Sequence, residues 1–255
     1  MRYPFSYILT QDNLKDQDAI LSLLETHGLV VIDTYLDTET NTQLLSEFEE
    51  ILSGGDNEHQ FQKPYSQGRC SVVAREKISG TAIPTTKEVF SRPFMENLAK
   101  TYVGEDVKFN YEIYVVNDVV GSKHVANDLH FDVTKSFKFF MYLTDTTAEN
   151  GAFGCVPGSH SKSTEIRKEL GGNVNYEDLS SSRTLPCEEE DVIPIEGPAG
   201  SLIIFNTEVF HRAGHVSQGE RKVMRAHCNS AEQYNASHNR SFMKKLSSRL
   251  KRMLS

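Results

Sequence analysis

Two short stretches of this chain carry side chains able to hold a metal ion. His130-Phe131-Asp132 sets an imidazole and a carboxylate two residues apart. On an extended segment successive side chains alternate, so this pair points to one side. His211, delivered from a distant strand, would complete a face of two imidazoles and one carboxylate. Such a face suits non-haem Fe(II) and leaves its remaining positions open to a substrate and to oxygen. In isolation His-x-Asp is a weak signal, and a core or surface histidine beside a turn aspartate is the plainer reading. Context strengthens it. The motif is followed by a strong strand, a glycine turn, PGSH, the turn-strand PAGSLIIF, His211, and Arg221 ten residues further on.

The elements that must position these residues can be read in order. Residues 12–27 form a helix by their apolar stripe (Ile20, Leu21, Leu23, Leu24), with Asp12 able to cap it. Gly28 ends it where a left-handed residue is wanted, and Leu29–Ile32 follows as a short strand. Asp37 opens a second helix carrying Leu44, Leu45, Phe48, Ile51 and Leu52, closed by Gly54-Gly55. Residues 53–70 read as a loop, Cys70–Ala74 as a strand, and residues 86–103 as helix broken at Pro93. Val107–Val116 alternates and is rich in strand formers. After a loop at 117–128, the HFD segment reads as a strand, as do Phe137–Leu143 and the short stretch before Pro157. Residues 161–190 are polar, with a serine run at 180–182 and an acidic run at 188–191, and read as a long excursion: a lid, or a tolerated surface insertion. Ile193–Ile195, Ser201–Phe205 and Lys222–His227 supply the last strands, with His211 just beyond the second of these. Helices first and many short strands after them imply a mainly β protein, a two-sheet jelly roll with helices packed on one side.

The bulk properties bound the function. A chain of 255 residues fits one domain, residues 1–255, and can bury a core without disulfides or a structural metal. A net charge of −8 argues against nucleic acid as the main partner. Cys70, Cys155, Cys187 and Cys228 are scattered without a CxxC pair, which points to a reduced, cytoplasmic setting. The start, MRYPFSYILTQDN, lacks the long apolar core of a signal peptide, and no stretch approaches a membrane span. Residues 239–255 are basic and contain no acid; Phe242, Met243, Leu246, Leu250, Met253 and Leu254 share one helical face. That amphipathic helix suits a peripheral membrane contact, or packing on its own domain or on a dimer mate.

HGLVVIDTYLD near the start, LHFD at 129–132, LTD at 143–145, ENGAFGCVPGSH at 149–160, GSLIIF at 200–205 and HRAGHVSQGER at 211–221 together resemble the phytanoyl-CoA dioxygenase family of Fe(II)/2-oxoglutarate oxygenases. The resemblance runs over residues 12–228 and implies a double-stranded β-helix (cupin-like) core. It makes His130, Asp132 and His211 the iron ligands and Arg221 the partner of the C5 carboxylate of 2-oxoglutarate. A guanidinium fork matches a carboxylate, so the physics agrees. Arg225 is a rival on the same strand face. Where family members often carry a hydroxyl two positions after the distal histidine, this chain has Ala213; Ser217, Lys138 and Tyr142 are candidate substitutes. His160 is expected to stabilise its turn, and His124, His215 and His227 to be structural or surface residues.

The implied reaction couples oxidative decarboxylation of 2-oxoglutarate by O2, with ascorbate as an auxiliary reductant, to hydroxylation of a small-molecule C–H. An acid at position 132 favours hydroxylation over halogenation, which needs a small residue there. Desaturation, epimerisation or ring closure remain compatible, as does a sensor that keeps the metal face without turnover. Gln62–Ala74, the loop around Lys123 and His124, and the 161–190 excursion are the candidate substrate contacts, with Arg69, Arg75 and Lys77 able to meet an anion. The substrate could be a lipid, a sugar, an amino acid or a natural product.

Overall fold

The computed structural model describes residues 3–7, 17–55, 60–63, 67–74, 83–170 and 185–235. A seven-stranded antiparallel sheet has the order β1-β8-β5-β10-β4-β3-β2, and a three-stranded sheet the order β7-β6-β9. The large sheet comprises β1 (Leu29–Ile32), β2 (Gln60–Lys63), β3 (Arg69–Ala74), β4 (Lys108–Val119), β5 (Phe137–Tyr142), β8 (Leu202–Asn206) and β10 (Glu220–Asn229). The small sheet comprises β6 (Phe153–Val156), β7 (Ile193–Ile195) and β9 (Phe210–Arg212).

The alternation of strand side chains explains the layers. On β5, Phe137, Phe139 and Met141 enter one cluster, while Phe140 and Tyr142 enter another. On β8, Leu202 and Ile204 face the first and Ile203 and Phe205 the second. The first cluster is sealed by the helices α1 (Gln17–His27), α2 (Thr38–Ser53) and α4 (Pro93–Val103) through Ile20, Leu24, Leu44, Phe48 and Leu98. The second is sealed by Phe153 and Cys155 on β6 and Ile195 on β7. A central strand buried on both faces has no polar side to show, so FKFFMY and LIIF read as unbroken apolar runs. Each fully buried aromatic or branched side chain contributes about 1.5–3 kcal/mol. The sheets are not closed into a continuous barrel; the arrangement is a jelly roll with helices on one side, as the sequence implies.

The caps behave as their chemistry requires. Asp37 accepts from the Thr40 backbone N–H at 2.8 Å and starts α2. Pro93 begins α4, and the preceding short helix α3 is Pro84–Val89, so the interruption expected at Pro93 is a break between two helices. Gly28 has φ +75° between α1 and β1, the left-handed position expected of it.

Three expectations change. The loop at 53–70 contains β2, paired with β3 from Gln60↔Val73 to Lys63↔Cys70. The HFD segment is not a strand: it meets β9 through one isolated bridge, His130↔His211. His211 does come from a distant strand just past β8, as expected: it lies within β9. The excursion at 161–190 opens with a helix, α5 (His160–Glu169). It is polar and buries only Ser163 and Ile166, so it shows no apolar stripe. Residues 12–16 of the expected first helix, Arg75, Lys77, residues 171–184 and the basic segment 239–255 lie outside the described residues. Among the described residues no helix is long and apolar enough to cross a membrane.

Candidate active site and metal centre

The bridge that joins the HFD segment to β9 fixes both histidines at once. The His130 N–H donates to the His211 carbonyl at 3.0 Å, and the His211 N–H returns a bond to the His130 carbonyl at 2.7 Å. Directly paired residues in such a bridge carry their side chains to the same face, and the two imidazole centroids are 4.5 Å apart. Two residues on, the Asp132 N–H donates to the Thr207 carbonyl at 3.0 Å, so the alternation expected of a strand is preserved by a different set of bonds.

Each ring is then oriented by a backbone carbonyl. His130 Nδ1 lies 2.7 Å from the Asp128 carbonyl and His211 Nδ1 lies 2.7 Å from the Val209 carbonyl. A carbonyl only accepts, so both Nδ1 atoms carry the proton and both Nε2 atoms offer a lone pair. Asp132 Oδ1 is 3.6 Å from each Nε2. The donor atoms of His130, Asp132 and His211 all lie within 4.8 Å of one another, and both histidines are buried. Two imidazoles and one carboxylate on one face, with backbone carbonyls behind the imidazoles, fit the ferrous ion that the motif implies.

The second carboxylate oxygen is taken. Lys138, buried on β5, places Nζ 2.6 Å from Asp132 Oδ2. This leaves only Oδ1 facing the imidazoles and restricts Asp132 to one oxygen at the metal face. Burial pushes the Asp132 carboxyl up, but the Lys138 ammonium beside it outweighs burial and holds it well below the usual carboxylate range. Burial, followed by the proximity of His130, holds His211 well below the usual imidazole range, the neutral form that a metal would require of it.

A further clamp comes from α5. Arg167 donates to the Val133 carbonyl at 2.8 Å and to the Asp132 carbonyl, and forks onto Glu208, which is only 3% exposed. Its guanidinium also lies over the Phe131 ring, 4.9 Å from the centroid. The backbone of the motif is thus held from outside by a residue that the sequence reading did not single out. Asp132 and Glu208 are far apart in sequence from α5, and only the tertiary structure connects them.

A cavity of about 190 Å³ opens on the metal face, walled by Phe140, Phe153 and Phe205. A neighbouring cavity of about 300 Å³ shares Phe140, Ala213 and Arg225 with it and reaches Arg221. Arg221 and Arg225 lie on one face of β10, as expected from their spacing. Arg221, 3% exposed, is bound on every side: Nη2 lies 2.5 Å and Nε 3.2 Å from Asp118 Oδ2, and Nη1 donates to the Gly151 carbonyl. Of the candidates to replace the hydroxyl missing at Ala213, Ser217 donates to the Glu149 carbonyl at 3.0 Å. The Tyr142 hydroxyl donates to the Ile195 carbonyl and accepts from the Phe153 N–H, both at 2.8 Å. Lys138 alone of the three lines the metal cavity. His160 does more than hold its turn: its Nε2 reaches the Glu25 carbonyl of α1 at 3.1 Å. His124, expected to be structural or superficial, lines both cavities, whereas His227 stacks on Tyr114.

Among solved structures, AviO1 from Streptomyces viridochromogenes Tue57 is similar at 18% identity and TM-score 0.58, over 85% of this chain and 96% of that one. HygX from Streptomyces hygroscopicus, solved with nickel and 2-oxoglutarate bound, is similar at 17% identity and TM-score 0.57, over 88% of each chain. SnoN, a non-haem α-ketoglutarate-dependent epimerase from nogalamycin biosynthesis, is similar at 16% identity and TM-score 0.58, over 87% of this chain and 85% of that one. These likenesses establish the jelly-roll fold. No curated protein matches the chain by sequence. A family profile does, over residues 24–223, spanning both halves of the metal face, and the chain therefore belongs to the phytanoyl-CoA dioxygenase (PhyH) family of Fe(II)/2-oxoglutarate-dependent enzymes.

Proposed function

We propose that His130, Asp132 and His211 hold a ferrous ion, and that the protein uses it with 2-oxoglutarate and O2 to hydroxylate a C–H bond of a small molecule. The observation carrying this reading is the convergence of three ligand atoms, remote in sequence, within 4.8 Å on one buried face. Bound there, iron and 2-oxoglutarate would supply the oxidising power for C–H attack. The chain's own residues do the rest. Asp128 and Val209 carbonyls fix the imidazole tautomers, and Lys138 keeps Asp132 to a single coordinating oxygen. Phe140, Phe153 and Phe205 give the cavity an apolar wall beside the metal face.

Arg221 is proposed as the partner of the far carboxylate of 2-oxoglutarate; its place on the cavity wall supports this. To act so it must share or release Asp118. The family match over most of the chain supports reading residues 1–255 as one catalytic domain. Small-molecule substrates are supported by two neighbours, HygX solved with hygromycin B and SnoN solved with nogalamycin RO. The SnoN epimerase also supports a second outcome, epimerisation of the substrate. The net charge of −8 and the scattered cysteines support a cytoplasmic enzyme whose main partner is not nucleic acid. The basic 239–255 segment is proposed to bring a membrane surface or a second copy.

The test is anaerobic addition of Fe(II) and then 2-oxoglutarate, followed by oxygen and a metabolite screen. We expect a metal-to-ligand charge-transfer band that His130→Ala and His211→Ala abolish, succinate formation, and a product heavier by one oxygen. A product of unchanged mass with inverted configuration would select epimerisation. A wild-type protein without the band, or a His130→Ala variant that retains it in full, refutes the assignment.

A further inference from the structure

Four cationic side chains line the joined cavities: Lys138, Arg212, Arg221 and Arg225. Three have an acid. Lys138 is paired with Asp132, Arg212 with Glu189, and Arg221 with Asp118. Arg225 has no carboxylate partner among the described residues. Its guanidinium lies over the Tyr114 ring, 4.7 Å from the centroid, and its Nε is buried with no hydrogen-bond partner. Register places it between Tyr114 on β4 and Phe140 on β5, and it borders both cavities.

A guanidinium N–H buried without an acceptor costs free energy, and an aromatic ring offsets only a small part of it. The missing partner is an acceptor that carries negative charge. The apolar wall opposite, Phe140, supplies none, and Asp132 already spends its outer oxygen on Lys138. We propose that Arg225 is an anion-recognising residue of this cavity, and that its partner is the carboxylate of a ligand bound beside the metal face. This rests on the oxygenase reading above and extends it. A planar fork on a fixed strand selects a carboxylate over a neutral group. The carboxylate comes either from the far end of 2-oxoglutarate, if Arg221 stays committed to Asp118, or from an acidic substrate, if Arg221 takes the cosubstrate.

The test uses the full chain loaded with Co(II) under nitrogen, titrated calorimetrically with 2-oxoglutarate, and the resulting complex titrated with acetate as the carboxylate probe. Wild type, Arg225→Met and Arg225→Lys are compared after circular dichroism confirms that each is folded. Arg225→Met is expected to weaken one of the two titrations about 10- to 100-fold, with Arg225→Lys intermediate. A loss in the 2-oxoglutarate titration names the cosubstrate as the source, and a loss confined to acetate names an acidic substrate. Both titrations unchanged in Arg225→Met overturn the proposal. Wild-type protein that takes up no metal would sink the iron reading instead; acetate titrated into the metal-free proteins then still reads Arg225. Should Arg225→Met fail to fold, Arg225→Lys alone decides, since it keeps the charge and loses the fork.

Discussion

Asp118→Asn isolates the question of whether Arg221 is free to meet a ligand. In the wild type both partners are nearly inaccessible, Arg221 3% and Asp118 5% exposed, with Nη2 2.5 Å from the carboxylate. The substitution keeps size and shape but removes the charge, leaving a guanidinium buried and uncompensated. Breaking a buried pair from one side costs about 3–5 kcal/mol. For a chain of this length each kcal/mol moves the midpoint by roughly 2–4 °C, so we predict a fall in Tm of roughly 6–20 °C. The assay is thermal and urea unfolding of metal-loaded protein, with and without saturating 2-oxoglutarate. In wild type, ligand at about 100 times its Kd adds about 2.7 kcal/mol. In Asp118→Asn the cosubstrate's far carboxylate replaces the lost acid and no longer meets a like charge, so its Kd should fall about tenfold or more and its stabilisation should exceed that of wild type. A Tm within about 2 °C of wild type would show that the pair carries little energy. Equal stabilisation by 2-oxoglutarate in both proteins would show that Arg221 does not meet it, and would send that role to Arg225.

Three further predictions probe the supports of the metal face. Arg167→Met strands Glu208, buried at 3% exposure, and should cost about 3–5 kcal/mol in urea unfolding; adding Glu208→Gln should recover most of the stability. The double variant should nevertheless bind Co(II) about 10- to 100-fold more weakly, because the Asp132 and Val133 carbonyls have lost their donor; wild-type affinity there would reduce Arg167 to a structural role. Gly28→Ala puts a Cβ 2.2 Å from Val209 Cγ2 at a φ of +75°, so it should destabilise by about 2 kcal/mol or more and disturb the Val209 carbonyl that orients His211; unchanged unfolding and metal binding would contradict the close approach. Burial holds the His160 imidazole below its ordinary value of 6.5, so the unfolded chain takes up the proton first. Stability from this group is therefore whole above about pH 6.5 and lost as pH falls toward the lowered folded value; His160→Gln should flatten that slope between about pH 7.5 and about pH 5.5 in urea titrations, and an unaltered slope would refute it.

Much of the site was legible because its information is local. The two-residue spacing in HFD put an imidazole and a carboxylate on one side even though the segment is not a strand, since extended backbone alternates whatever it hydrogen-bonds to. The face-sharing of Arg221 and Arg225 followed from the same rule on β10. The helix start at Asp37 was readable from capping chemistry, and the interruption at Pro93 from the ring that cannot continue a helix. What stayed hidden was partnership across the chain. Nothing near Arg221 in sequence announces Asp118, which arrives by the β10–β4 register, where the two are directly paired. Nothing near Lys138 announces that it turns back onto Asp132. The helix α5 escaped notice because it docks through Arg167, a polar side chain, so its sequence lacks the apolar repeat by which helices are read. The strand β2 was masked by its length of four residues and its polar composition, typical of an edge strand.

The arrangement of charge around the cavity follows from one topological fact. β10 lies between β4 and β5, so every inward side chain on it is flanked by inward side chains of both neighbours. At the Arg221 level β4 offers Asp118 and the pair closes on itself. Two residues along, Val223 sits opposite Val116 and Tyr142, and the wall is apolar. At the Arg225 level the neighbours are Tyr114 and Phe140, two rings and no acid. One level further, across from His227, β5 places Lys138, which turns to Asp132 at the metal face. Charge is thus neutralised at both ends of this row and left open in the middle, beside the imidazoles. A bound anion reaching from the metal face along β10 would meet its first uncommitted donor at Arg225, and only beyond Val223 would it find Arg221, already held by an acid. The order in which a carboxylate encounters these two guanidinium groups is set by strand register rather than by side-chain flexibility, and substitution of Asp118 or Arg225 should therefore change which of the two it prefers without changing the path it takes.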